Sequence, residues 1–155
     1  METRAPIGWS VVGVQGLLIV GAVALPGPQV WITPTWAPLV TTTVAVLALV
    51  VAGAAVVGLG PSATASPVPR QSGVLRTEGI YGVVRHPIYT GVIVAIGAWA
   101  LTSGASFRIL CWLLLISLFV LKSIWEERML VERFPDYVEY QRSTPAFFPR
   151  LRRSR

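Results

Sequence analysis

Charge is scarce in this chain. Only 13% of its 155 residues are Asp, Glu, Lys or Arg, against 54% hydrophobic. That balance excludes an ordinary soluble domain and describes a polytopic membrane protein of one domain, 1–155. The charges are also segregated, because Lys122 is the only one inside the best apolar runs. Cysteine is almost absent. Cys111 stands alone in an apolar run, which rules out a disulfide or a cysteine metal cluster within one chain. Cys111 reads as a small core or lipid-facing residue, and no metal is expected. Acidic residues number 7 against 13 Lys and Arg. The basic ones lie mainly in loops and the tail beside the apolar runs, so the expected partners are anionic lipid headgroups and not nucleic acid. No strand, glycine-rich turn and helix follow one another, so no dinucleotide-type fold is expected. Gly58-Leu59-Gly60 closes an apolar helix instead of opening one.

What is present is a series of apolar runs. The first, about 8–25, is long enough at ~1.5 Å per residue to cross a ~30 Å hydrocarbon core. Arg4 precedes it and Ala22 and Ala24 form an A-x-A pattern near its end, so a cleavable signal peptide is the rival reading, although the run is long for one. Pro26 to Pro38 holds four prolines and two tryptophans without charge, a short turn seeking the membrane interface. A second span, about 39–59, carries Ala48 and Ala52, then Ala54 and Gly58, at a spacing that lets helix backbones approach. After an irregular polar connection, a third span runs 87–101 and a fourth 109–125. Trp125, Met129, Leu130 and Phe134 recur at helical spacing, so the fourth helix continues as an amphipathic arm until Pro135. The predicted fold is therefore all-α, with about four transmembrane helices and a C-terminal helical arm.

Orientation follows from the basic residues. The second connection carries Arg70, Arg76 and Arg85, and the tail carries Arg128, Arg133, Arg142, Arg150, Arg152, Arg153 and Arg155, while the opposite loops carry only Arg108. The positive-inside rule then predicts that both termini and the long connection are cytoplasmic, in a bacterial inner membrane.

Two polar clusters stand out. GIYGVVRHPIYTG (79–91) crowds Tyr81, Arg85, the single histidine His86, Pro87 and Tyr89 before the third span. Pro87 suits a first helical position, which places His86 at the cap. The second cluster holds Glu126 and Glu127 at the end of a span, then Tyr137, Glu139, Tyr140 and Arg142, and Pro145 to Pro149. A helical hairpin would bring the two clusters together. Glutamates so close to hydrocarbon need a protein cavity or a partner. Solvation at the helix exit, with Arg128 or Lys122 as partner, is the plainer alternative.

The order GIYGVVRHPIYTG, a hairpin, then EERMLVERFPDYVEYQRSTPAFFPRL resembles the C-terminal half of the isoprenylcysteine carboxyl methyltransferase family, a pattern shared by phospholipid N-methyltransferases and related small membrane methyltransferases. The likeness covers 75–149, while the first two spans match only in hydrophobic character. Ile80 stands where the family has proline, and Pro135 where it has glycine. The resemblance implies S-adenosylmethionine as cofactor. Arg85, His86, Tyr89 and Gly91 would form one wall of its site, and Glu126, Glu127, Tyr137, Tyr140 and Arg142 the other. Arg85, His86 and Glu127 are the implied catalytic candidates. A carboxylate can pair with the cofactor's ammonium and an arginine can fork onto its carboxylate, while tyrosine faces can lie against the sulfonium. Which glutamate points inward is left open, because adjacent helix positions diverge by about 100°.

The expected reaction is methyl transfer to a lipophilic small acceptor from the bilayer, first an isoprenoid carboxylate oriented by Arg85. Phospholipid amines or small thiols are alternatives, for which His86 or a glutamate would serve as base. A small multidrug-type transporter is the rival from another class. Such a carrier calls for an ionisable residue in an early span, and here Gln15 is the most polar residue in the first two.

Overall fold

The computed structural model describes residues 4–69 and 73–150. Of the basic residues used to predict orientation, Arg70, Arg152, Arg153 and Arg155 lie outside the described residues, as does the side chain of Arg4. Among the described residues there are five α-helices and no strands: α1 (Arg4–Ala24), α2 (Ala37–Leu59), α3 (Pro87–Ser103), α4 (Ser106–Arg133) and α5 (Tyr137–Ser143). The all-α expectation is borne out. Among these residues α1, α2 and α4 are long and apolar enough to cross a membrane, while α3 is apolar but shorter.

The helix limits follow local chemistry. Pro38 sits in the first turn of α2 and Pro87 begins α3, with His86 as its cap. Gly104, at φ 63°, closes α3 in the left-handed conformation that glycine adopts without strain. At 28 residues α4 is about 42 Å long, so it outruns a ~30 Å hydrocarbon core. It stops at Phe134, whose N–H still reaches the carbonyl of Leu130 at 2.8 Å before Pro135 bars the next turn.

Packing does not follow chain order. α2 lies chiefly on α3, α3 on α4, and α4 on α1, while α1 and α2 barely meet. The α2–α3 contact is close because both faces are small: Ala48, Ala52 and Ala55 of α2 are buried against a face of α3 that includes Gly91. A Cβ on Gly91 would stand 2.6 Å from the carbonyl oxygen of Ala48 and 2.8 Å from Cβ of Ala52. Ala54 and Gly58, the second small pair in the sequence, are exposed. Cys111 is half-buried where α4 crosses α1 at Gly21. Ile93, Leu115 and Phe119 form the central core, joined by Leu18 and Ile19 of α1.

At one end of the bundle the proline-rich turn is tied to the α3–α4 turn. Val30 N–H donates to Gly104 at 2.8 Å, Ser106 N–H to Pro28 at 3.0 Å, and Trp31 Nε1 to Leu101 at 3.0 Å. At the other end the α2–α3 connection begins as a 3₁₀ turn, Gly60–Ser62, and crosses toward α1, where a Cβ on Gly8 would meet Ser66 Oγ at 2.5 Å. A second 3₁₀ turn, Gly79–Gly82, leads into the RHP element.

Replacing Gly91 with valine should lower the thermal midpoint of the detergent-purified protein, since overpacking costs about 1–3 kcal/mol. The same change at Gly13, where nothing lies within 4 Å of a Cβ, should not cost packing. Equal losses at the two positions would argue against the close α2–α3 approach.

Candidate functional site

The two polar clusters meet at the end of the bundle that carries the α2–α3 connection. His86 caps α3 with its backbone only, leaving the imidazole free to turn toward α4, where Nε2 lies 2.8 Å from Glu127 Oε1. Arg85 forks onto the same carboxylate, Nε to Oε1 at 2.8 Å and Nη2 to Oε2 at 3.1 Å. Gln141 Nε2 donates to Oε2 at 2.8 Å. Glu127, on α4, is thus engaged by three side chains, two from the segment before α3 and one from α5. The remaining nitrogen of Arg85, Nη1, donates to the carbonyls of Gln141, at 3.0 Å, and Thr144. The chain after α5 runs alongside the RHP element: Arg85 N–H donates to Pro145 at 2.9 Å, His86 N–H to Ala146 at 2.9 Å, and Thr90 Oγ1 to Phe147 at 2.9 Å.

Above this network opens a cavity of about 670 Å³, within the size range of small-molecule sites. Glu126 lines it and Glu127 does not, as expected for neighbours about 100° apart on a helix. The hydroxyl of Tyr89 donates to Glu126 Oε2 at 2.6 Å, and among the described residues Glu126 makes no ion pair within 4 Å. Tyr89 is the centre of an aromatic stack, 5.2 Å and parallel to His86 on one side and 4.7 Å from Phe119 on the other.

The tyrosines from the connection and the arm brace the rim. Tyr81 donates to the carbonyl of Ala55 at 3.1 Å, Tyr140 to the carbonyl of Tyr81 at 2.5 Å, and Tyr137 packs edge-on against Tyr140 at 5.6 Å. Burial pushes all three phenols up. For Tyr140, Arg85 opposes the rise and Glu127 adds to it, giving about 12. Glu126 adds to the effect at Tyr81, and Glu127 at Tyr137. At neutral pH these groups are therefore hydrogen-bond donors and apolar walls, not phenolates.

Of the residues singled out in the sequence, Arg85, His86, Tyr89, Glu126, Tyr137 and Tyr140 line the cavity. Glu127 lies behind it in the network just described. Gly91 faces α2, and Arg142 is exposed and away from the cavity. Sequence reasoning noted Lys122 as the lone charge in the apolar runs but did not place it in the site. Buried at 3% exposure, it projects into the cavity from α4, one turn before Glu126. Its Nζ donates to Gln15 Oε1 of α1 at 2.7 Å and to the carbonyl of Ala65 at 2.8 Å. The signal was available: the lone charge in the apolar runs and the most polar residue of the first two spans are each costly in hydrocarbon and are natural partners. Among the described residues no three His, Cys, Asp or Glu side chains cluster as metal ligands.

Comparison with known proteins identifies the architecture. The cobalt-zinc-cadmium resistance protein CzcN of Cupriavidus metallidurans is 36% identical over 83 residues, 53% of this chain and 38% of the relative. The nickel-cobalt-cadmium resistance protein NccN of Alcaligenes xylosoxydans xylosoxydans is also 36% identical over 83 residues, 53% of this chain and 39% of the relative. The matched stretch thus covers well under half of either relative. The family model described as phospholipid methyltransferase matches residues 40–137, which takes in α2, α3, α4 and most of the polar site, and on that match the chain belongs to the phospholipid methyltransferase family of membrane proteins.

Proposed function

We propose that this protein is a membrane methyltransferase that uses S-adenosylmethionine to methylate a lipophilic small acceptor, with an isoprenoid carboxylate as the leading acceptor. The observation that carries the reading is Glu126: a carboxylate on the wall of a cavity of about 670 Å³, held by one neutral donor, Tyr89, and, among the described residues, by no cation within 4 Å. Such a group favours a cationic ligand, and S-adenosylmethionine carries both an ammonium and a sulfonium. The stacked faces of Tyr89 and His86 offer an aromatic surface beside it. Bound there, the cofactor would supply an activated methyl group on a positive sulfur, whose departure leaves the electron pair on sulfur while the acceptor atom gains the carbon.

The chain's own residues then act by placement. Arg85, His86, Glu127 and Gln141 hold the end of α4 against α3 and α5 and fix the direction of Glu126. Because Arg85 gives all three nitrogens to Glu127, Gln141 and Thr144, its role is positioning. Trp9, Val56 and Val92 give the cavity an apolar side, so an acceptor chain and a polar cofactor can share one water-poor space. Positioning of two reactants and exclusion of water are effects sufficient for large accelerations. A carboxylate acceptor is already a nucleophile and needs no base. An amine or thiol acceptor would need one, and His86 is committed to Glu127 at 2.8 Å.

Titration calorimetry of the protein in lipid nanodiscs with S-adenosylmethionine and its demethylated product is the test, followed by transfer of labelled methyl to an isoprenoid acid, phosphatidylethanolamine or a small thiol. Saturable binding and a labelled ester are expected. A folded protein that binds neither cofactor form would end the reading. Glu126→Gln keeps an acceptor for Tyr89 and removes the charge. A lost charged hydrogen bond is worth about 1.5–3 kcal/mol, a weakening of cofactor binding by roughly 10- to 150-fold, with the thermal midpoint unchanged. Arg85→Ala leaves Glu127 short of its fork and two carbonyls without their donor, so it should lower the midpoint as well as binding, by about 3–5 kcal/mol if the buried pair is broken outright.

A further inference from the structure

Lys122 is the charged group the reading above leaves unused. It lies in the interior of α4 with two of its three ammonium hydrogens given to uncharged acceptors, Gln15 Oε1 at 2.7 Å and Ala65 O at 2.8 Å. Its Nζ also stands 5.1 Å from the Tyr89 ring centre and 5.7 Å from that of Phe119. Glu126, four residues on, makes no ion pair with it within 4 Å and takes the Tyr89 hydroxyl instead. Lys122 and Glu126, one turn apart on α4, thus each make their hydrogen bonds with neutral groups, Glu126 with the Tyr89 hydroxyl and Lys122 with Gln15 and Ala65, its ammonium near the Tyr89 ring. A positive charge buried in a membrane bundle without an opposite charge in contact is costly, and an anion entering beside it would relieve that cost.

Position decides which anion. Along α4 the step from Glu126 back to Lys122 is about 6 Å toward the middle of the helix, and the neighbours change with it, to Gln15, Val92 and Phe119. A cofactor arriving from water meets the Glu126 end first. A molecule whose chain stays in the bilayer presents its head at the Lys122 end. The other cations on the cavity wall are less suited: Arg85 is spent on Glu127 and two carbonyls, Arg133 donates to the carbonyl of Gly73, and Arg76 is exposed on the connection.

We propose that Lys122 is the specificity-determining residue for the acceptor, receiving an anionic head group on an apolar chain while Gln15 and the Ala65 carbonyl hold its ammonium in place. This rests on the methyltransferase reading, and it makes the site discriminate against acceptors with a cationic head.

The test uses a matched pair, farnesoic acid and farnesylamine, with saturable binding to the full chain in phosphatidylcholine nanodiscs as readout and S-adenosylmethionine affinity measured in parallel. The wild type should prefer the acid by at least tenfold. Lys122→Met should bring the acid-to-amine ratio close to one, Lys122→Arg should retain most of it, and both should leave cofactor affinity within about twofold. Gln15→Leu should reduce the ratio less than Lys122→Met does, and with the wild-type ratio it decides the matter if Lys122→Met does not fold. A wild type that binds the amine as well as the acid overturns the proposal. So does a ratio that survives in Lys122→Met, or a Lys122→Met variant whose cofactor affinity falls while the ratio stays, which would assign the lysine to the cofactor. If the wild type binds no cofactor yet prefers the acid through Lys122, the methyltransferase reading fails and the anion site stands.

Discussion

The site depends on one carboxylate with its hydrogen-bonding capacity filled. Glu127 receives Arg85, His86 and Gln141, and through them a single point joins the entry to α3, the end of α4 and the short helix α5. The arrangement sits at one end of the helical bundle, where α4 runs past its apolar stretch into Glu126, Glu127 and Arg128. Apolar packing holds the bundle around Phe119, and at its polar end hydrogen bonds to charged groups take over the task of fixing geometry. An arginine fork is the appropriate partner, because its planar donors match both carboxylate oxygens and a third edge remains for backbone carbonyls. The tail after α5 then lies along the RHP element, backbone to backbone, and covers the network from the outside.

With Glu127 committed, Glu126 is free to be something else. Two adjacent identical residues acquire different duties because the helix points one into a saturated network and the other at a cavity. Lys122, one turn earlier, shares that cavity, and Tyr89 touches both groups, donating its hydroxyl to Glu126 and lying with its ring 5.1 Å from the Lys122 ammonium.

Much of this was legible in the sequence. Pro87 and Pro135 mark the start of α3 and the end of α4 because proline's constraints act locally, and His86 falls at the cap for the same reason. The union of the two clusters was legible from their order around a hairpin. What was not legible depends on rotation about helix axes and on which helices touch. Glu126 and Glu127 are equivalent in a linear reading. Gly91 lies within the RHP stretch, yet its role is to admit Ala48 and Ala52 of α2, a register that composition does not reveal. Arg142 belongs to the tyrosine-rich arm but points to the outside of a seven-residue helix whose inner face is taken by Tyr137 and Tyr140. The bond between Lys122 and Gln15 spans 107 positions of sequence and joins α4 to α1, so that although each residue is conspicuous in its apolar run, their contact depends on which helices touch.

That order, α2 on α3, α3 on α4 and α4 on α1, bears on how the protein is made. Although consecutive, α1 and α2 do not form a hairpin of packed neighbours, since each has its main partner later in the chain. α2 acquires its small-residue contact only with α3, and α1 acquires its own only when α4 arrives with Cys111 and Lys122. Of these helices α4 is the one that closes the bundle, and the cavity has all its walls only once α4 is in place.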